Sequence, residues 1–83
     1  MELNIKEFDL DKLVLDRIKE KELTAYRIGK DMKIDAQNIQ KFINGERKVS
    51  NFSLKSGMFL LAYLFNSAEL TQIFDTIKII EKS

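Results

Sequence analysis

The sequence predicts an all-α fold, a compact five-helix bundle, and three observations support this class. Apolar residues recur at spacings of three and four along most of the chain, which is the periodicity of amphipathic helices. Most of these stretches begin just after a Ser, Thr, Asp or Asn residue, the types that favour helix N-caps. The chain also lacks proline, low-complexity runs and internal repeats, so short connections between helices are expected throughout.

Length and composition restrict the classes of function. The chain has 83 residues and 45% hydrophobic content, which suffices for a single domain, residues 1–83, with one small core. It has no cysteine for a disulfide or thiolate metal site, and no histidine, the commonest general base and metal ligand. No signal peptide is recognisable, and no apolar run approaches the ~20 residues of a membrane span. We therefore expect a cytoplasmic protein with no metal, no cofactor and no membrane association.

The first helix is expected over residues 10–21. Asp9 has the position of an N-cap, and Phe8 before it has the spacing of a hydrophobic staple. The apolar stripe of this helix consists of Leu10, Leu13, Val14 and Ile18. The residues before Phe8 are expected to form an extended lead-in, in which Leu3 and Ile5 alternate as in a short strand.

Residues 23–48 contain two short helices joined by a tight turn. Thr24 and Asp35 are the expected N-caps, and each follows an apolar residue that lies five places before an apolar partner. These staple pairs are Leu23 with Ile28 and Ile34 with Ile39. Only three residues separate Asp31 from the second cap, so the two helices must cross at a steep angle. The spacing therefore predicts a helix-turn-helix over about residues 24–44.

The apolar residues of this unit are placed to face the core, with Met32 and Ile34 filling the turn. The inward-facing positions are Ile28, Ile39 and Phe42. Gly29 lies where the two helices should approach most closely, and the absence of a side chain there offsets its ~1 kcal/mol helix penalty. The alternative is that Gly29 only weakens or ends a helix. Gly45, after Asn44, is a C-terminal stop signal.

The fourth helix is expected after Ser53, its predicted N-cap, with Ser50 and Asn51 as alternative caps. Its sequence LKSGMFLLAYLF is apolar almost all round. Such a helix is either central to the fold or part of a subunit interface. Asn66 and Glu69 have the spacing of a capping box, which predicts a fifth helix over about residues 67–81. Its apolar stripe consists of Leu70, Ile73, Phe74, Ile77 and Ile80.

Charge is distributed unevenly, although the net charge is only +1. Residues 24–48 contain six basic and three acidic residues, whereas the rest of the chain contains eight basic and ten acidic residues. An excess of positive charge on the helix-turn-helix stretch is consistent with a polyanionic partner.

The residues of this stretch resemble the Cro/C1-type (XRE-like) helix-turn-helix DNA-binding domains of phage repressors and bacterial regulators. The resemblance covers about residues 9–65 and implies a lambda-repressor-like DNA-binding domain. The residues that carry it are Leu23, Thr24, Ile28, Gly29, Ile34, Ile39, Phe42 and the Asn44-Gly45-Glu46-Arg47 exit. Two positions depart from the family pattern. Lys33 stands in the turn, where glycine is frequent, and Ala25 begins the first helix, where glutamine often reaches a phosphate or base.

The second helix of the unit is the expected DNA reader, because its outward positions are polar and a helix of this size fits the major groove. The predicted base contacts are Ala36, Gln37, Asn38 and Lys41, with Gln40 and Asn44 at the edge. The predicted phosphate contacts are Thr24, Arg27, Lys30, Asn44, Arg47 and Lys48. The alternative is an ordinary solvated helix face.

Together these features predict a sequence-specific transcriptional regulator of double-stranded DNA, a repressor that binds a palindromic operator as a homodimer. The predicted dimer interface is Phe59, Tyr63, Ile73, Ile77 and Ile80, and the alternative is that these residues are simply core. A competing class is a protein-interaction module of the same fold, of the antitoxin or anti-repressor type, whose outward face binds a protein. The sequence contains none of the common catalytic motifs, and its acids are better explained as caps, so no enzyme is expected.

Overall fold

The computed structural model describes residue 3 and residues 5–82, and this part of the chain forms five α-helices and no β-strand. The helices are α1 (Leu10–Glu20), α2 (Ala25–Met32), α3 (Ala36–Ile43), α4 (Leu54–Leu64) and α5 (Ser67–Lys82). Two 3₁₀ turns, Ile5–Glu7 and Val49–Asn51, precede α1 and α4. The all-α prediction is confirmed. The predicted short strand is wrong, because Ile5 belongs to a 3₁₀ turn while Leu3 packs against the core.

Side-chain caps determine where the helices begin, as the sequence predicts. Four N-cap oxygens accept backbone N–H groups at 2.9–3.2 Å: Asp9 from Lys12, Thr24 from Arg27, Asp35 from Gln37 and Ser53 from Ser56. The start of α5 has the reciprocal pair of a capping box. Glu69 donates its N–H to Asn66 Oδ1 at 2.8 Å, and Asn66 donates its N–H to Glu69 Oε1 at 3.1 Å.

The core forms where α4 meets the other helices. α2 packs most extensively on α3, whereas α4 contacts α1, α2 and α5, and α5 also contacts the 3₁₀ turn Ile5–Glu7. The largest fully buried side chains are Val14, Ile28, Ile39, Phe42, Leu60, Leu64 and Ile73. The two alternatives for the apolar fourth helix are a central position and a subunit interface. The structure shows α4 in a central position. The loop after α3 is fixed to this core by Phe52, whose ring centroid lies 5.9 Å from that of Phe42, and by Val49, whose N–H donates to Asp11 Oδ1 at 2.7 Å.

Arg17 joins α1 to the start of α5. Its guanidinium donates to the carboxylate of Glu69 and lies 4.7 Å from the centroid of the Phe65 ring. The hydrogen bond from Arg17 lowers the pKa of Glu69 below its ordinary value, and the N–H of Asn66 acts in the same direction. One carboxylate therefore caps α5 and binds α1 at the same time.

Several large apolar side chains of α4 and α5 remain open to solvent, and three of them, Leu54, Met58 and Phe74, line one cavity. The exposed large hydrophobic residues here are Leu54 (81%), Met58 (52%), Phe59 (50%), Phe74 (41%), Ile79 (50%) and Ile80 (37%). We call this set the apolar face. The predicted interface overlaps it only in part: Phe59 and Ile80 are exposed, Tyr63 and Ile77 are half-buried, and Ile73 has no exposed surface. For Ile73 the interface prediction is wrong, because this side chain fills the core beneath α5.

Within the described residues, no helix has both the length and the apolar content needed to cross a membrane. The same residues contain no cluster of acidic side chains that could hold a metal ion.

Candidate nucleic-acid interface

Gly29 is the point at which α2 and α3 meet. A Cβ atom built on Gly29 would lie 3.0 Å from Ala36 Cβ and 3.0 Å from the carbonyl oxygen of Ile34. The oxygen of Gly29 itself accepts the N–H of Ile34 at 3.1 Å. α2 continues through Gly29 to Met32, so the close-approach prediction is confirmed and the alternative, a helix-ending glycine, is wrong. The absence of a side chain therefore sets the distance between the two helices.

The turn after α2 depends on a lysine in an unusual conformation. Lys33 has φ 57° and ψ 43°, the left-handed region that glycine adopts most easily. Its N–H donates to the oxygen of Gly29, which ends α2 and turns the chain toward Asp35. A non-glycine residue in this conformation costs roughly 1 kcal/mol. Glu22, between α1 and α2, is the other non-glycine residue of the described chain with a positive φ, 54°. Because only three residues separate α2 from α3, the conformation of Lys33 contributes directly to the angle between these two helices.

Four polar side chains form an exposed row along α3, which we call the polar row: Gln37, Gln40, Lys41 and Asn44. Their spacing of three and four residues puts them on one helical face. The opposite face is fully occupied, because Ile39 is 0% exposed and Phe42 is 1% exposed. Rotation of α3 is thus fixed by the core, and the polar row is held outward.

The four predicted base-contact residues occupy different places relative to the polar row. Gln37 and Lys41 lie within it and are exposed. Ala36 is half-buried at one edge, with its Cβ toward Gly29. Asn38 is half-buried at the other edge, where it lines a cavity of about 200 Å³ together with Arg47. The geometry therefore favours Gln37 and Lys41 as the outermost of the four.

Gln40 and Asn44, which the sequence puts at the edge of the reading face, lie within the polar row and contact each other. Nε2 of Gln40 donates to Oδ1 of Asn44 at 2.9 Å. Asn44 Nδ2 lies 3.5 Å from Glu46 Oε2. The signal for this pairing was available in the sequence, because two amides four residues apart on a helix are neighbours.

The predicted phosphate contacts are also placed differently. Thr24, Lys30, Asn44 and Lys48 are exposed, and Arg47 is half-buried. Arg27 lies about 200° around α2 from Gly29, on the flank away from α3. There its Nε binds Asp31 Oδ2 at 3.0 Å. Its charge is therefore already compensated, and Arg27 is the member of this set with the least favourable position for contacting a polyanion at α3.

Tyr63 connects this flank of α2 to α4. Its hydroxyl donates to Asp31 Oδ2 at 2.6 Å, so Asp31 accepts from two side chains. The hydrogen bond from Tyr63, followed by that from Arg27, lowers the pKa of Asp31, and the same bond raises the pKa of Tyr63. The i,i+4 spacing of Arg27 and Asp31 is visible in the sequence. The contribution of Tyr63, which follows 32 residues after Asp31, is not.

Comparisons of this chain with protein-family models, with curated proteins and with solved structures found no match. The resemblance to the Cro/C1-type family therefore stays a prediction that rests on the residues quoted for it.

Proposed function

We propose that this domain binds double-stranded DNA in a sequence-specific manner through α3, as a transcriptional repressor with a lambda-repressor-like helix-turn-helix formed by α2 and α3. The observation that carries the proposal is the polar row, which the buried Ile39 and Phe42 on the opposite face of α3 hold outward. A major groove of about 12 Å width admits a helix of this size, and the fixed rotation of α3 means that the polar row is the face it presents. Recognition of a DNA base sequence requires a helix that presents a defined set of side chains to the bases.

The chemistry of the polar row matches base edges. Glutamine and asparagine can bond adenine bidentately, and lysine can donate to guanine. The basic residues around the row, Lys30, Arg47 and Lys48, together with the Thr24 hydroxyl, are suited to the phosphates beside the groove. The excess of basic over acidic residues between positions 24 and 48 favours a polyanion over a neutral surface.

A dimer is part of the proposal, since one short helix reads only a few base pairs. Two copies related by a two-fold axis would place two α3 helices in successive major grooves, about one helical turn apart on a palindromic operator. The apolar face supports this arrangement, and two of the predicted interface residues, Phe59 and Ile80, belong to it. A dimer that covers an operator represses by excluding the transcription machinery from the promoter.

The direct test is selection of bound sequences from a random duplex pool, followed by affinity measurement on the enriched site. We expect the wild type to enrich one palindromic motif, and Gln37→Ala and Lys41→Ala each to weaken specific binding by about 5- to 100-fold. The matched controls are Gln72→Ala and Lys78→Ala on exposed positions of α5, which should leave binding unchanged. Undiminished specific binding by both α3 variants would show that α3 is not the reader.

Salt dependence separates DNA binding from the competing protein-interaction module. With about 4–6 phosphate contacts per copy, log Kobs should fall with log salt concentration by roughly 0.9 for each contact. Lys30→Ala with Lys48→Ala should reduce this slope by about 2 while leaving the selected motif unchanged. If no duplex is enriched and a protein partner is bound with little response to salt, the interaction-module alternative is correct.

The dimer is tested by sedimentation at micromolar concentration, with and without the selected operator. Phe59→Lys should shift the population toward the 9.7 kDa monomer, because it puts a charge into the buried part of the interface. Tyr26→Lys, at a side chain that is 72% exposed on α2, is the control and should leave sedimentation unchanged. A wild type that remains monomeric both with and without operator contradicts the proposed interface.

A further inference from the structure

The amide side chains of the polar row differ in how firmly they are held. Within the described part of the chain, the side chain of Gln37 makes no hydrogen bond, whereas Gln40 donates from Nε2 to Asn44 Oδ1 at 2.9 Å. The backbone of Asn44 is held as the C-cap of α3, where its N–H donates to the oxygen of Gln40 at 2.9 Å, and its side-chain Nδ2 lies 3.5 Å from Glu46 Oε2. Gln40 is therefore the glutamine whose orientation is set before any partner arrives.

The bond to Asn44 also changes what Gln40 can offer to a base. A free glutamine amide has two N–H donors and one oxygen acceptor. With one N–H committed to Asn44, Gln40 keeps one N–H and Oε1, a donor beside an acceptor. Adenine presents the complementary pair in the major groove, the N7 acceptor and the N6 donor. Guanine presents two acceptors, N7 and O6, which two N–H groups could satisfy but one donor and one acceptor cannot.

We propose that Gln40 is a specificity-determining residue of the DNA-reading face that selects adenine over guanine, and that Asn44 is its positioning residue and not a phosphate contact. This proposal rests on the proposed function. It assigns to Gln40 a base contact that the sequence reading left at the edge of the face. It also reassigns Asn44, because the oxygen of its amide is used within the protein and its Nδ2 lies toward Glu46 Oε2.

The order of the polar row supports this role. Gln40 follows Gln37 by three residues and precedes Asn44 by four, so the three amides lie along one face of α3. Pre-orientation matters here because an ordered glutamine loses much of its rotamer freedom, and a side chain that is already held loses less on binding. The bond to Asn44 therefore improves affinity for adenine and removes the amide rotation that would accept guanine.

The test uses the selected operator and a copy in which the adenine pair assigned to Gln40 is replaced by a guanine pair. The assignment comes from repeating the duplex selection with Gln40→Ala, which should lose preference at one position of each half-site and keep the others. We expect the wild type to prefer the adenine operator by at least about tenfold. Asn44→Ala should reduce that ratio to about threefold or less, chiefly through a gain of affinity for guanine.

Asn44→Asp is the variant that separates positioning from phosphate contact. It keeps an oxygen acceptor for Gln40 Nε2 and adds a negative charge. If Asn44 positions Gln40, this variant retains the preference for adenine although its affinity for all duplexes falls. In the double variant Gln40→Ala/Asn44→Ala, the adenine-to-guanine ratio should equal that of Gln40→Ala alone.

Several outcomes would overturn the proposal. One is an unchanged base preference in Gln40→Ala. Another is an adenine-to-guanine affinity ratio in Asn44→Ala that equals that of the wild type, and a third is the same affinity ratio in Asn44→Ala and Asn44→Asp. Thermal melting of each variant checks folding, and Gln72→Ala is the matched control on α5. If the wild type enriches a motif that Gln37→Ala and Lys41→Ala weaken but Gln40→Ala does not, only this inference fails. If the wild type enriches no motif, the proposed function and this inference fail together.

Discussion

The α2–α3 pair and the α4–α5 pair use their apolar residues in opposite ways. In α2 and α3 the apolar side chains point inward except for Tyr26, which is 72% exposed, and the outward side of α3 is polar. In α4 and α5 the helices supply much of the core and still leave the apolar face exposed, including Leu54 at 81% and Phe59 at 50%. The first pair therefore presents a mainly polar surface to solvent, whereas the second presents several apolar side chains.

The two pairs also differ in how tightly they are joined. α2 and α3 touch at a glycine with no space for a Cβ atom, and a strained lysine turns the chain between them. α4 contains Gly57, around which a Cβ atom would meet nothing within 4 Å. The close approach of a glycine to a neighbouring helix thus occurs between α2 and α3 and not at Gly57. The following variants test this contrast.

Replacing one phenylalanine in each helix pair should give the largest difference in the free energy of unfolding. Phe42→Ala removes a ring that is 1% exposed and should lower the free energy of unfolding by about 3–5 kcal/mol. Phe59→Ala removes a ring that is half exposed and should cost about 1 kcal/mol or less in the monomer. Urea denaturation measured at a concentration low enough to exclude self-association compares them. Similar losses for the two variants would mean that the apolar face is part of the core.

Replacing one glycine in each pair by alanine should change stability in opposite directions. Gly29→Ala places a methyl group against Ala36 and the backbone of Ile34, which should cost about 1–3 kcal/mol because α2 and α3 must separate. Gly57→Ala adds a methyl group in open space within a helix and should stabilise by about 0.5–1 kcal/mol. Thermal unfolding measures whether each variant is more or less stable than the wild type. A stabilising Gly29→Ala would contradict the close approach.

The turns of the two pairs should respond differently to glycine. Lys33→Gly relieves the left-handed conformation and should stabilise by about 0.5 kcal/mol after the added freedom of the unfolded chain is taken into account. Asn66→Gly removes the cap of α5 and should destabilise by about 0.3 kcal/mol. Denaturation midpoints measured in parallel should therefore move in opposite directions. A destabilised Lys33→Gly would show that a contact of the Lys33 side chain stabilises the fold by more than the left-handed conformation costs.

The smallest expected effects concern acid sensitivity. Hydrogen bonds lower the pKa of Glu69 from its ordinary 4.5 and that of Asp31 from its ordinary 3.8. A lowered folded-state pKa gives stability that is fully present above the unfolded value and is lost as the pH falls through the folded value. Stability should therefore begin to fall near pH 4.5 because of Glu69, and near pH 3.8 because of Asp31.

Unfolding curves between pH 7 and pH 2 measure this loss. Glu69→Gln should be less stable than the wild type at pH 7 and should converge with it in acid, and Asp31→Asn should do the same at lower pH. Glu81→Gln, near the exposed end of α5, controls for the loss of one negative charge. A constant difference between Glu69→Gln and the wild type at all pH values would show that the carboxylate is not stabilised in the folded state.

The local features of this fold could be predicted from the sequence because neighbouring residues determine them. The caps Asp9, Thr24, Asp35 and Ser53 and the Asn66–Glu69 capping box depend on spacings of two or three residues, and all are present. Helical periodicity also gave the inward side of α3. The one wrong element, a strand near Ile5, rested on an alternation only two residues long.

Contacts between residues that are far apart in the sequence could not be predicted. The bond between Tyr63 and Asp31 and the pairing of Arg17 with Glu69 join residues 32 and 52 positions apart, and no periodicity encodes them. The same limit explains Ile73, which is 0% exposed although the predicted apolar stripe of its helix also includes the exposed Phe74 and Ile80. Within the candidate site, the bond between Gln40 and Asn44 could be predicted because the two residues are four positions apart on one helix. Which amides lie outermost could not, because this depends on how the buried Ile39 and Phe42 rotate α3 about its axis.

The junction at Arg17 has a consequence for the order in which the chain assembles. α2 and α3 interact through residues close in sequence, so this pair can form early, whereas the contact between Arg17 and Glu69 must wait for a partner 52 residues further on. During synthesis from the N-terminus, α1 therefore emerges long before the carboxylate that holds it. Completion of the domain then coincides with the arrival of α5, the helix that also brings part of the apolar face. On this account the contacts between α2 and α3 can form before the apolar face is complete.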